Sequence, residues 1–154
     1  MMDFDFGRLI LWRILIPVLF IPQIFPMTQK VLIVDDEPHI RMLLEQTLEE
    51  LEDADVVLLT AENGAEALEV ITAEKPDLVF LDVMMPKLNG FDVCHQVKHE
   101  LKMTDVYIIM LTAKGQEFDK AKGKEVGADI YMTKPFDPDE VLAKSCEILN
   151  INLD

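Results

Sequence analysis

From Lys30 onward, short apolar runs alternate with stretches of helical period. KVLIV (30–34) is a near-continuous apolar run, the pattern of a strand covered on both faces. Residues 38–51 follow at helical spacing, with Ile40, Leu43, Leu44, Thr47, Leu48 and Leu51 sharing one face. DVVLLT (55–60) predicts a second strand. Residues 63–74 predict a helix capped by Asn63, with Ala67, Leu68 and Ile71 inward and Pro76 beyond its end. DLVFL (77–81) is a third strand, followed by the loop DVMMPKLNG and a helix over about 90–101. VYIIML (106–111) is a fourth strand, and 114–126 a weaker helix interrupted by Gly115 and Gly123. Gly127 suits a left-handed helix stop. Residues 129–132 form a short fifth strand. The last helix covers 137–150, with Val141, Leu142, Ser145, Cys146 and Leu149 along one side.

Five strands alternating with five helices imply a parallel sheet with helices on both faces. The ligand site of such a sheet lies beyond the carboxyl ends of its strands, at the point where the strand order reverses. The 154 residues fit one domain, assigned to 27–154, plus a separate segment, 1–26. Within that segment, LILWRILIPVLFIPQIF (9–25) is the most apolar stretch of the chain. It is short of the about 20 residues of a membrane span and carries Arg13, Pro17 and Pro22. Three readings stay open: a misassigned start with Met27 as the first residue, a membrane-associating tail, or a secretory signal. The last lacks a basic start and a small-residue cleavage site. MTQKVLIVDDE, from Met27, opens a domain by itself. The chain stops soon after its last helix, so no output domain is expected.

The net charge of −15 disfavours direct nucleic-acid binding, which relies on Lys and Arg contacts to phosphates. Cys94 and Cys146 form no ligand cluster and fit a reducing, cytoplasmic setting. Charge acquires more meaning at the strand ends. Asp35, Asp36 and Glu37 follow the first strand, Asp82 the third, Thr112 the fourth and Lys134 the fifth. Carboxylates brought together repel and raise one another's pKa, so Asp35, Asp36 and Asp82 at one edge call for a cation. Oxygen ligands suit Mg²⁺, with Mn²⁺ as a substitute. An ionised Asp is a nucleophile toward phosphorus, and Lys134 and Thr112 can bind the transferring group. Cys94, His95 and His99 lie on one helix, the histidines at zinc-compatible spacing, but no fourth ligand accompanies them and a solvated face explains them.

In the segments VLIVDDE (31–37), DLVFLDVMMPKLNG (77–90), IIMLTAKG (108–115) and GADIYMTKPF (127–136), the sequence resembles the response-regulator receiver domains of two-component systems. The resemblance covers residues 30–150. It implies a flavodoxin-like (βα)5, doubly wound five-stranded parallel sheet of strand order 2-1-3-4-5. Asp82 is then the phosphoacceptor. Asp36 is a direct Mg²⁺ ligand, Asp35 acts mainly through water, and the backbone carbonyl of Met84 completes the set with Asp82. Thr112 and Lys134 bind the phosphoryl group, and Tyr131 is the aromatic switch partner of Thr112. The Lys134–Pro135 peptide is expected to be cis. Implied partners are a sensor histidine kinase or histidine phosphotransfer protein and an unknown downstream protein, with membrane contact only through 1–26. The chain is expected to act as a phosphoacceptor rather than an enzyme, in the manner of single-domain, chemotaxis-type regulators. Ile130, where family members that dimerise as transcription factors carry an acid, and Lys144, where they often carry Arg, argue against that style of dimer. Met84 cannot position an attacking water, which implies a long-lived phosphoryl group.

Other classes fit less well. A haloacid dehalogenase-type phosphatase carries DxDxT after its first strand, where this chain reads DDEPH. A flavin carrier of the same fold needs a phosphate loop there, and the acids would repel the phosphate. A pseudo-receiver would have lost site residues, and here all are present.

Overall fold

The computed structural model describes residues 27–113 and 117–154, with side chains from 121 onward in the second part. The three readings of 1–26, and Lys114, lie outside the described residues. Five strands are present: β1 (Lys30–Val34), β2 (Val57–Ala61), β3 (Leu78–Asp82), β4 (Tyr107–Ala113) and β5 (Ile130–Lys134). Between and after them run α1 (Pro38–Leu48), α2 (Gly64–Glu74), α3 (Gly90–His95), α4 (Glu117–Val126) and α5 (Pro138–Leu149). The strands are all parallel, in the order β2-β1-β3-β4-β5. The predicted architecture is therefore present. The reversal falls between β1 and β3, because the chain goes outward to β2 and then returns across β1.

The apolar runs of β1, β3 and β4 are buried on both faces, and alternation along each of them divides the core in two. Leu32 and Val34 of β1, Val79 and Leu81 of β3, and Ile108 and Met110 of β4 join Ala67 and Ile71 of α2, Val93 of α3 and Val126 of α4. The intervening Val31, Ile33, Leu78, Phe80, Ile109 and Leu111 pack with Leu44 and Leu48 of α1 and Val141 and Leu149 of α5.

Local differences from the sequence reading have identifiable causes. The first helix gives way at Glu49–Ala54 to a 3-10 segment, which ends at Asp55 in the left-handed region (φ 60°). Strand β2 therefore begins two residues later than predicted. Leu43, predicted inward, is 40% exposed, because the buried stripe runs through Leu44, Leu48 and Leu51. The helix predicted over 90–101 is α-helical only to His95. A π turn follows at Gln96–Glu100, closed by Leu101 N–H donating to the Gln96 carbonyl at 2.8 Å. Strands β3, β4 and β5 each start one residue late and run further, so Asp82 and Lys134 are the last residues of their strands. The Asn63 cap is present, its side chain accepting from Glu66 N–H at 2.9 Å, and Gly127 has φ +93°.

Candidate functional site

The carboxyl edge of the sheet gathers the predicted residues because adjacent strands end there together. Asp35 leaves β1 and is fully buried; its Oδ1 accepts from Glu37 N–H at 2.9 Å, ahead of α1. Arg41 of α1 donates to the Asp35 carbonyl at 2.7 Å and fixes the turn. Asp82 ends the central strand β3 and is 3% exposed. Glycine is required at position 90, since a Cβ there would collide with the Asp82 carbonyl while Gly90 N–H donates to Val83 O at 3.0 Å. Thr112, near the end of β4, is buried. Lys134, the last residue of β5, reaches back across the edge.

Lys134 Nζ stands 2.6 Å from Asp35 Oδ2, 3.1 Å from Asp82 Oδ1 and 3.8 Å from Glu37 Oε1. One ammonium thus ties the ends of three strands. Met84 N–H lies 3.4 Å from Asp82 Oδ1, a long contact. The Lys134–Pro135 peptide is cis, as expected. Burial pushes the Asp82 carboxyl up from 3.8 to about 7, and the Asp35 charge adds to the rise. Lys134 opposes the rise by its charge and hydrogen bond, while contact with the Asp36 side chain adds to it. Burial by itself would lower the Lys134 pKa, but its hydrogen bond with Asp35 and the charges of Asp82 and Asp35 outweigh it and hold the amine above its ordinary value. The site therefore carries more negative charge than one lysine neutralises.

An oxygen-only donor set with surplus negative charge fits a hard divalent cation. Among the described residues, the acids whose donor atoms lie within 4.8 Å of one another are Asp35, Asp36 and Glu37. Asp36 and Glu37 are exposed and open to an entering ion, while Asp35 forms the floor. The expected set of Asp35, Asp36, Asp82 and the Met84 carbonyl is thus gathered in part: Asp82 stands beside this group, with Oδ1 on Lys134. Glu37 was given no role by the sequence, although its place directly after Asp36 marked it. Arg41 was also missed, and only its position one turn into α1 could have signalled it.

The histidine-containing group does not assemble. Cys94 is buried with Sγ 3.5 Å from the Val126 carbonyl, and burial pushes its thiol up to about 12. His95 and His99 are exposed, their ring centroids 5.0 Å apart. Tyr131 lies half-buried on β5, opposite Met110 in the ladder, and Thr112 pairs with Thr133 two residues further on.

The fold recurs in known proteins. The sequence profile described as "Response regulator receiver domain" matches residues 31–145. The chain is 52% identical over 123 residues to the alkaline phosphatase synthesis transcriptional regulatory protein PhoP of Bacillus subtilis, covering 80% of this chain and 49% of that protein. It is 45% identical over 119 residues to the phosphate regulon transcriptional regulatory protein PhoB of Pseudomonas aeruginosa, covering 77% and 51%. Among solved structures, the chemotaxis response regulator CheY4 of Vibrio cholerae superposes with a TM-score of 0.69 at 34% identity, over 79% of this chain and 99% of that one. The response regulator DrrB of Thermotoga maritima, described as an OmpR/PhoB homologue, gives 0.69 at 31% identity, over 80% and 54%. This chain spans about half the length of PhoP and PhoB, both named as transcriptional regulators. The expectation of a stand-alone switch remote from nucleic acid finds no support in those two relatives. Profile, sequence relatives and superposed structures agree on one point: the chain belongs to the response-regulator receiver domain family.

Proposed function

We propose that this receiver is a Mg²⁺-dependent phospho-switch in which Asp82 accepts a phosphoryl group from a sensor histidine kinase or a histidine phosphotransfer protein. The observation that carries the reading is the placement of a buried Asp82 between Lys134 and the acids of the β1 end. A carboxylate oxygen of Asp82 attacks phosphorus, the P–N bond of the donor phosphohistidine breaks, and the departing imidazole takes up a proton. Lys134 pairs with a phosphoryl oxygen, and the Thr112 hydroxyl donates to another. Asp35, Asp36, Asp82 and the Met84 carbonyl would hold Mg²⁺, with Glu37 at the margin. The ion's contribution is neutralisation of charge on the transferring group. Before transfer, Lys134 holds Asp82 in place and favours the ionised, nucleophilic form that burial disfavours.

The phosphoryl group then changes what Thr112 and Lys134 bind. Two arrangements of the loops exchange population, and Tyr131 moves with Thr112. The face of α4, β5 and α5 presents the state to a protein partner. The chain acts as a phosphoacceptor and not as an enzyme turning over an external substrate. Two free thiols and a phosphohistidine donor support a cytoplasmic setting for this switch. Among the described residues no helix is long and apolar enough to cross a membrane.

The test is incubation with Mg²⁺ and acetyl phosphate, read by intact mass. Attack by Asp82 releases acetate and adds one phosphoryl group. We expect a single Mg²⁺-dependent adduct that is absent from Asp82→Asn. No adduct from several donors, and no response to beryllofluoride, would sink the reading. The names of PhoP and PhoB favour a second reading of the output: control of transcription through a DNA-binding segment outside these 154 residues.

A further inference from the structure

Gly123 lies inside α4, where glycine weakens a helix relative to alanine. Its backbone gives no reason for glycine, since Gly127 and not Gly123 has a positive φ. Space gives the reason. A Cβ on Gly123 would fall inside the hydroxyl end of Tyr131, with the ring carbon Cε2 only 3.1 Å away. Gly123 is buried, so the ring tip occupies a notch cut into the helix rather than open solvent.

Its location makes the notch consequential. Tyr131 pairs with Met110 in the β4–β5 ladder, and the two share the core cluster that also takes in Val126 of α4. Thr112 lies two residues beyond Met110, hence on the same sheet face. The ring therefore sits between α4 and the strand that carries the phosphate-binding hydroxyl. We propose that Gly123 is a positioning residue: its missing side chain forms the seat that holds Tyr131 in the unphosphorylated arrangement, and so sets the balance of the switch. This rests on the reading of Tyr131 as the residue that moves with Thr112. A ring seated against α4 has to leave before it can take another position, and any side chain at 123 expels it in advance. Helix α4 would then report the state of the site through the occupancy of its own notch.

The chain has two tyrosines, Tyr107 and Tyr131, so fluorotyrosine labelling of the full chain gives two fluorine resonances. Tyr131→Phe assigns them. In the wild type, the Tyr131 signal is expected to shift when Mg²⁺ and beryllofluoride are added. In Gly123→Ala without beryllofluoride, it should already lie at least half-way to the activated position, with Tyr107 unmoved. Melting temperatures supply a readout independent of labelling. Gly123→Ala should raise the melting temperature in a Tyr131→Ala background, where the notch is empty and helix propensity acts alone, and should fail to raise it when the ring is present. A Gly123→Ala signal at the wild-type position, or one displaced away from the activated position, would overturn the proposal. A wild-type Tyr131 signal that ignores beryllofluoride while the protein still takes up phosphate would remove the switch role of Tyr131, and the proposal with it.

Discussion

At the scale of single residues, Asp82 couples the site to stability. Its folded pKa of about 7 lies above the ordinary 3.8 because the carboxyl is buried beside Asp35. Below about pH 4 the group is protonated whether the chain is folded or not. Between about pH 4 and 7 the unfolded chain ionises while the folded protein keeps its proton, so stability falls as pH rises. Metal-free protein should therefore lose melting temperature across this window and level off above it. Asp82→Asn should flatten the decline and be more stable at pH 8 by about 2 kcal/mol in urea titrations. Lys134→Ala leaves Asp35 and Asp82 without their cation and should cost about 3 kcal/mol at neutral pH by the same measurement. Met84 is 64% exposed and apolar, and Met84→Asn supplies an amide able to hold a water near the phosphoryl group. The decay of the adduct, followed by intact mass, should quicken several-fold. Asp35, Asp36, Asp82, Thr112 and Lys134 were legible in the sequence because each falls within two residues of the end of an apolar run. The roles of Glu37 and Arg41 were not, since they depend on how the first turn of α1 folds back over β1.

At the scale of elements, caps and glycines set the boundaries that hydrophobic period leaves loose. Asn63 and Asp137 cap α2 and α5 through their side chains, and Asn89 with Asp92 forms a reciprocal box at α3. Asn63→Ala should cost about 1 kcal/mol in denaturant unfolding and leave phosphoryl uptake unchanged. Strand and helix identity came through because apolar runs of five or six residues and stripes at helical spacing differ in period. The strand ends did not, because apolarity says nothing of hydrogen bonding: Asp82 and Lys134 are charged yet complete their ladders with Leu111 and Ala113. The π turn at Gln96–Glu100 was likewise invisible, since the spacing of apolar residues does not separate a short π turn from α-helix. Lys98 in this turn donates to the Val106 carbonyl at 2.5 Å and to Asp129 at 2.9 Å, joining the turn to the residues just ahead of β4 and β5.

For the whole molecule, the two core clusters on opposite faces of one sheet account for the inertness of buried groups. Cys94 is enclosed, and its thiol pKa of about 12 keeps it protonated at neutral pH. A disulfide-exchange reagent should modify Cys146 in the native protein and reach Cys94 only at the rate of unfolding. The parallel direction of the strands has a practical consequence of its own. Strand β1 enters at Lys30 and delivers Asp35 at its far end, so Met27 and the phosphate site occupy opposite poles, about 16 Å of strand apart. A fluorescent reporter or a surface-immobilisation handle joined at Met27 starts from the amino edge of the sheet, away from the incoming phosphodonor. Biosensors built on this receiver can therefore be anchored at that pole, leaving the phosphorylation edge facing solution.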